Sequence, residues 1–94
     1  MASVELSRIA AEDLERLIHT HSLPPDTRER VRNSLSPLAQ FPKMGAELGG
    51  RWAGFRFLLG PSRWLLLVYV ILDEGERVVV VTIQDARSSH APVG

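Results

Sequence analysis

The side chains of this chain that could do chemistry are mostly arginines. Arg51, Arg56, Arg63 and Arg87 lie among the apolar runs of the second half, while Arg28, Arg30 and Arg32 alternate in the first. A guanidinium presents five donors in a rigid fork, so each is a candidate contact for phosphate or carboxylate. Each also has a plainer use. Arg56 could snorkel from a half-buried strand. Arg87 follows Asp85 by two residues, and such a surface pair is usually worth little. Arg63 could decorate a turn, and the 28/30/32 trio could be a solvated helix face or touch nucleic acid or an acidic partner. His90, three residues beyond Arg87, could titrate near neutral pH. His19 and His21 lack a third ligand at metal-binding spacing, so no metal site and no cofactor are expected. Cysteine is absent, which removes thiolate ligands and disulfides and suits a reducing compartment. Trp52, Trp64 and Tyr69 read as core or interface anchors before they read as base-stacking platforms.

These residues are positioned by the stretch from Arg51 to Arg87. Three apolar runs lie there: Trp52 to Leu59, Trp64 to Leu72 and Val78 to Ile83. Gly60-Pro61-Ser62 breaks the first from the second, since Pro cannot donate to a sheet ladder. Asp73-Glu74-Gly75-Glu76 breaks the second from the third, with Gly75 suited to positive φ. The middle run has no polar interruption but the Tyr69 hydroxyl, which argues that both its faces are covered. The last run is dense in β-branched residues. Turns this short force antiparallel neighbours, because a parallel return needs a crossover of about a dozen residues. The expectation is a three-stranded antiparallel meander. The middle run is too short to span a membrane, which takes about 20 apolar residues.

The first half supplies cover for that sheet. Ser3 to Leu6 suggests a short strand added at an edge, and Ser7 a helix cap. Ala10, Leu14, Leu17 and Ile18 fall on one helical face, with Glu12, Asp13, Glu15 and Arg16 on the other. That helix should end near His19-Thr20-His21. A second should start with Pro25 at its first position and turn Val31, Leu35 and Leu38 inward. Asp26 and Glu29 suit its positive dipole end. Pro37 should kink or break it near Ser36. Lys43 to Gly50, with Gly45, Gly49 and Gly50, reads as a loose connecting loop. Ser88 to Gly94 reads as a frayed tail.

The fold class is therefore α+β: a short N-terminal strand and a helical hairpin packed on an antiparallel sheet with a three-stranded C-terminal meander. With 94 residues, 45% apolar and 23% charged, it reads as one domain, 1–94. Its parts are strand plus hairpin at 1–42, meander at 51–87 and tail at 88–94. Eleven basic and eleven acidic side chains cancel. Neutrality argues against a strong nonspecific polyanion binder, though patches matter more than sums. No basic-then-apolar segment opens the chain, so the cytoplasm is the expected location.

Several segments in order carry a resemblance: AAEDLERL, SPLAQFPKMG, ELGGRWAGFRF, LVYV with its acidic turn, and VVVVTIQDAR. At this spacing the chain resembles the RelE/ParE superfamily of toxins from bacterial type II toxin–antitoxin pairs. The resemblance implies a growth-inhibiting toxin and a cognate antitoxin that wraps it in a hetero-oligomer, with no membrane partner. An exposed sheet edge and an apolar middle strand also invite addition of another chain. The family divides into ribosome-dependent mRNA endoribonucleases and noncatalytic inhibitors of DNA gyrase; a nontoxic interaction module on the same fold is the third option. RNA cleavage of this kind moves a 2′-hydroxyl onto phosphate and needs a base, an acid and cations. The resemblance assigns catalytic roles to Arg56 and Arg87, with Arg63 and His90 as further candidates. The sequence also departs from the nuclease pattern. Leu58 stands where many nucleases carry a second basic residue, and Leu66 where an arginine is often found. The terminal tyrosine position holds Val93 or nothing. One distance discriminates: Arg56 and Arg87 more than roughly 12 Å apart cannot both cradle one phosphate.

Overall fold

In the computed structural model, which describes residues 1–87, the chain runs β1 (Ser3–Leu6), α1 (Arg8–Thr20), α2 (Thr27–Leu35), β2 (Ala46–Glu47), β3 (Arg56–Leu59), β4 (Leu65–Leu72) and β5 (Arg77–Asp85). The expected tail at 88–94 lies outside the described residues. One sheet is formed in the order β1-β5-β4-β3-β2. The β3–β4–β5 meander is antiparallel, as its turns require. β1 sits at the expected edge but runs parallel to β5, so the sheet is mixed. Both helices and the rest of the meander intervene between these two strands, so no tight turn dictates their direction.

β4 explains the layering. Leu65, Leu67 and Tyr69 face a core built with Ala10, Leu14 and Leu17 of α1 and Val31 and Leu35 of α2. Leu66 and Val68 face the other way, under Leu48, Trp52, Phe55 and Phe57. Both faces are thus covered, the second by the chain between β2 and β3. Burying one such leucine contributes about 1.5–3 kcal/mol relative to exposure.

The helices start and stop for local reasons. Ser7 is extended (φ −67, ψ 163), and its Oγ accepts the Ala10 N–H at 3.0 Å. Its hydroxyl reaches the Val81 carbonyl at 3.1 Å, fastening the start of α1 to β5. Asp13, which periodicity puts on the outward face, is buried. Its Oδ2 accepts from the Thr82 hydroxyl at 2.5 Å and the Ile83 N–H at 3.2 Å, while Arg16 holds Oδ1 at 2.8 Å. β1 pairs with β5 only as far as Val80. Beyond it this carboxylate supplies an acceptor that a strand would otherwise supply, and a buried carboxylate persists only with such partners. α2 begins at Thr27, later than expected. The Thr27 hydroxyl and N–H both bond the Pro24 carbonyl, at 2.7 and 3.1 Å, so Pro25 and Asp26 are spent in a turn. Pro37 ends the helix as expected, and Ser36–Ala39 continues as a 3₁₀ turn that buries Leu38.

Two loops are more ordered than their composition suggests. Residues 43–50 contain β2, paired with β3. Gly50–Trp52 forms a 3₁₀ turn, which delays β3 to Arg56. The segment before β2 is held by Tyr69, whose buried hydroxyl donates to the Pro42 carbonyl at 2.7 Å and accepts the Gly45 N–H at 3.0 Å. Burial pushes that phenol above its ordinary value, partly offset by the Gly45 N–H and the Arg56 charge. A Cβ on Gly45 would lie 2.6 Å from both the Phe57 carbonyl oxygen and the Tyr69 hydroxyl.

Gly45→Ala should therefore lower stability by about 1–3 kcal/mol through overpacking. Tyr69→Phe should cost about 1–3 kcal/mol by orphaning a buried N–H. The double variant should cost less than the sum, because both changes break one contact. Urea denaturation measures all three, and midpoints equal to the parent would contradict the account.

Candidate functional site

The strand register decides where the arginines lie. Arg56 stands opposite Tyr69, and cross-strand partners share a face, so it lies on the helix side of the sheet. Its Nη1 donates to the carbonyls of Gly45 at 2.8 Å and Lys43 at 3.2 Å, and its Nη2 to Glu47 at 3.0 Å. The guanidinium is used by its own chain, and the side chain is only 20% exposed.

Arg87 lies beyond the end of β5. Its Nε and Nη2 each donate to the Asp85 carboxylate at 3.0 Å, and its own N–H bonds Asp85 at 2.9 Å. The same guanidinium rests 4.5 Å over the Trp64 ring. His21, the cap residue of α1, stacks on that ring at 4.8 Å, with Nε2 3.5 Å from Asp85. Trp64, His21, Asp85 and Arg87 therefore form one clasp between the end of α1 and the end of β5. The Arg87 bonds pull the Asp85 carboxyl down to about 2, and the carboxylate in turn raises the Arg87 guanidinium.

These two sites are not adjacent. Arg56 is opposite Tyr69, and Asp85 is opposite Leu65. Four residues of β4 separate those positions, about 13 Å along the strand, plus two interstrand steps of about 4.8 Å across it. Arg87 lies two residues further on. Arg63 is exposed in the turn before β4. His90 lies outside the described residues.

The face away from the helices is mostly apolar. Phe57, Leu66, Val68 and Val81 occupy it, and the pairs Leu59–Leu66 and Val70–Val79 follow the same alternation. Arg77, opposite Leu72, is the one cation that the register of β3–β5 puts there, and it is bound to Glu5 at 2.8 Å and Asp73 at 3.5 Å. Among the described residues no three His, Asp or Glu side chains gather as metal ligands. No helix of the described residues is long and apolar enough to cross a membrane.

A concavity of about 1150 Å³ lies elsewhere, between the segment ahead of β2, the turn before β3 and the turn after β4. Phe41 and Met44 stand beside it, 62% and 50% exposed. Sequence reasoning missed it. The available signal was two large apolar residues among prolines and glycines, with no helix or strand period to bury them.

The family profile described as "ParE toxin of type II toxin-antitoxin system, parDE" matches residues 4–89. The chain belongs to the ParE toxin family. No curated sequence matches at a significant level. Among solved structures, the fold is similar to a protein of the chromosomal ParDE toxin–antitoxin system of P. aeruginosa, with TM-score 0.71, 17% identity, and 93% of this chain and 98% of that one covered. A YoeB/ParE toxin from Agrobacterium tumefaciens gives TM-score 0.67 at 18% identity, covering 90% and 98%. E. coli RelE bound to a peptide of its antitoxin RelB gives 0.67 at 19%, covering 94% and 86%. Within this ParE-family chain, Leu58 packs with the helix-side core and Leu66 is buried on the opposite face. The two positions where the nuclease pattern puts cations thus serve packing.

The clasp should be acid-labile. A carboxyl held down to about 2 stabilises the fold while its unfolded counterpart, near 3.8, is also ionised. That contribution is whole above about pH 4 and drains away toward pH 2. It is small, because the pair is open to solvent. The stability gap between the parent and Asp85→Asn should accordingly narrow over that interval in thermal melts. A gap constant from pH 5 to pH 2 would contradict it.

Proposed function

We propose that this ParE-family chain arrests growth by binding its target, without cutting RNA, and that a cognate antitoxin holds it inactive in a hetero-oligomer. The observation that carries the noncatalytic reading is the placement of the cations. The Arg56 guanidinium is bonded to Lys43, Gly45 and Glu47, the Arg87 guanidinium to Asp85, and the two stand at opposite ends of the meander. Stabilising the charge that grows on a phosphate in RNA cleavage needs donors that converge on one point. The face away from the helices, apolar and covered by Leu48, Trp52 and Phe55, gives such charge no support.

Antitoxin binding is supported by the neighbours of similar fold, which include the E. coli RelBE and M. tuberculosis RelBE2 toxin–antitoxin complexes. DNA gyrase is the target that the noncatalytic branch of the family resemblance offers, and it makes the cytoplasm the site of action. The whole chain, 1–94, acts as one domain in this reading.

Induction in cells, with transcript ends and plasmid supercoiling measured together, tests the mechanism. The expected result is a supercoiling defect with intact transcripts, retained in Arg56→Ala and Arg87→Ala wherever these still fold. New transcript ends that vanish in Arg87→Ala would replace it with ribosome-dependent mRNA cleavage.

A further inference from the structure

Helix α1 ends in a strained cap. The Leu23 N–H bonds the Ile18 carbonyl at 3.0 Å, and the Ser22 N–H bonds the His19 carbonyl at 3.4 Å. This pair of bonds closes a helix through one residue in the left-handed region, a place usually given to glycine. Here Ser22 occupies it, at φ 50. An L side chain is strained in that conformation. The end of α1 therefore depends on support from outside the helix.

His21, the residue before Ser22, receives that support. Its ring stacks on Trp64 at 4.8 Å, and its Nε2 lies 3.5 Å from the Asp85 Oδ2. Trp64 belongs to the turn before β4, and Asp85 is the last residue of β5. The locally weak end of the helix is thus fastened to two strands of the sheet.

The strength of the fastening depends on a proton. Histidine is the side chain whose ordinary charge change falls between about pH 5 and 8. An imidazolium beside a carboxylate makes a charge-assisted contact, whereas a neutral ring keeps only the stacking and a weaker bond. The charged groups around His21 act in both directions. Asp85 attracts an imidazolium, as does the negative end of the α1 dipole. Arg87, bonded to the same carboxylate, repels it, and so does the exposed Arg63 that precedes Trp64. His19 lies two residues back in the last turn of α1. Of these groups Asp85 is the one in direct contact. The Arg87 bonds hold its carboxyl to about 2, so it stays ionised through the histidine range.

We propose that His21 is a proton-operated catch: taking up a proton tightens its contact with Asp85 and holds the strained end of α1 closed, and losing the proton frees that end to open. The added stability is present at pH below the histidine range and is lost as pH rises through it.

Amide hydrogen exchange of the full chain, corrected for intrinsic rates, tests this. The amides of His21, Ser22 and Leu23 report the cap directly, because each bonds a carbonyl of α1. Their protection should be about two- to fivefold higher at pH 5 than at pH 8, the size expected of a solvent-accessible pair. His21→Gln and Asp85→Asn should each abolish that ratio. Ser22→Gly should raise protection at both pH values by removing the strain. Thermal melts establish that the variants fold, and all three change side chains near the surface. A ratio that persists in His21→Gln and Asp85→Asn overturns the proposal. A ratio lost in His19→Gln but kept in His21→Gln gives the proton to His19 and also overturns it. Equal protection at the two pH values in the parent overturns it outright.

Discussion

β4 imposes the constraint on which this fold depends. Its eight residues are all apolar but for the Tyr69 hydroxyl, and five of them, Leu65 to Tyr69, are fully buried. A strand alternates its side chains between two faces, so both must be covered at once. The helical hairpin covers one. The short chain between β2 and β3 covers the other with Leu48, Trp52 and Phe55. A sheet of this size leaves the remaining apolar area thinly roofed, and Leu59 and Leu72 stay partly open.

Covering β4 brings polar groups into apolar surroundings, and each of them is answered. Asp13 accepts from Thr82 and Ile83 where β1 has run out. Tyr69 bridges Pro42 and Gly45 where the sheet meets the loop before β2. A β-bulge opposite Val68 and Tyr69 inserts Val81 into β5 between these two anchors. No buried side-chain nitrogen or oxygen among the described residues lacks a partner. The buried polar groups are therefore committed to architecture.

That commitment shapes the functional reading. Arg56 and Arg87 are the cations the family resemblance nominates, and the fold uses one to brace a loop and the other to close a clasp with Trp64, His21 and Asp85. The concave surface beside β2 is largely apolar, with Lys43, Glu47, Arg56 and Glu74 also lining it. A surface of that kind selects a complementary chain more readily than a polyanion.

Much of this could be read in the residues themselves. Runs of apolar and β-branched residues with two short turns determined the antiparallel meander, since local geometry leaves few alternatives. Ser7 and Pro37 determined where helices begin and stop, because capping and the loss of an N–H act within one turn. The family followed from the order of ordinary segments. Contacts between distant residues were beyond its reach. The parallel pairing of β1, the two-residue β2, the burial of Asp13 and the later start of α2 depend on partners as far as 74 residues away or on hydroxyl geometry that no period encodes. The separation of Arg56 from Arg87 and the groove beside Met44 depend on register and on which loop crosses which face. Tertiary structure alone decided these, because burial and proximity are properties of the packed chain as a whole.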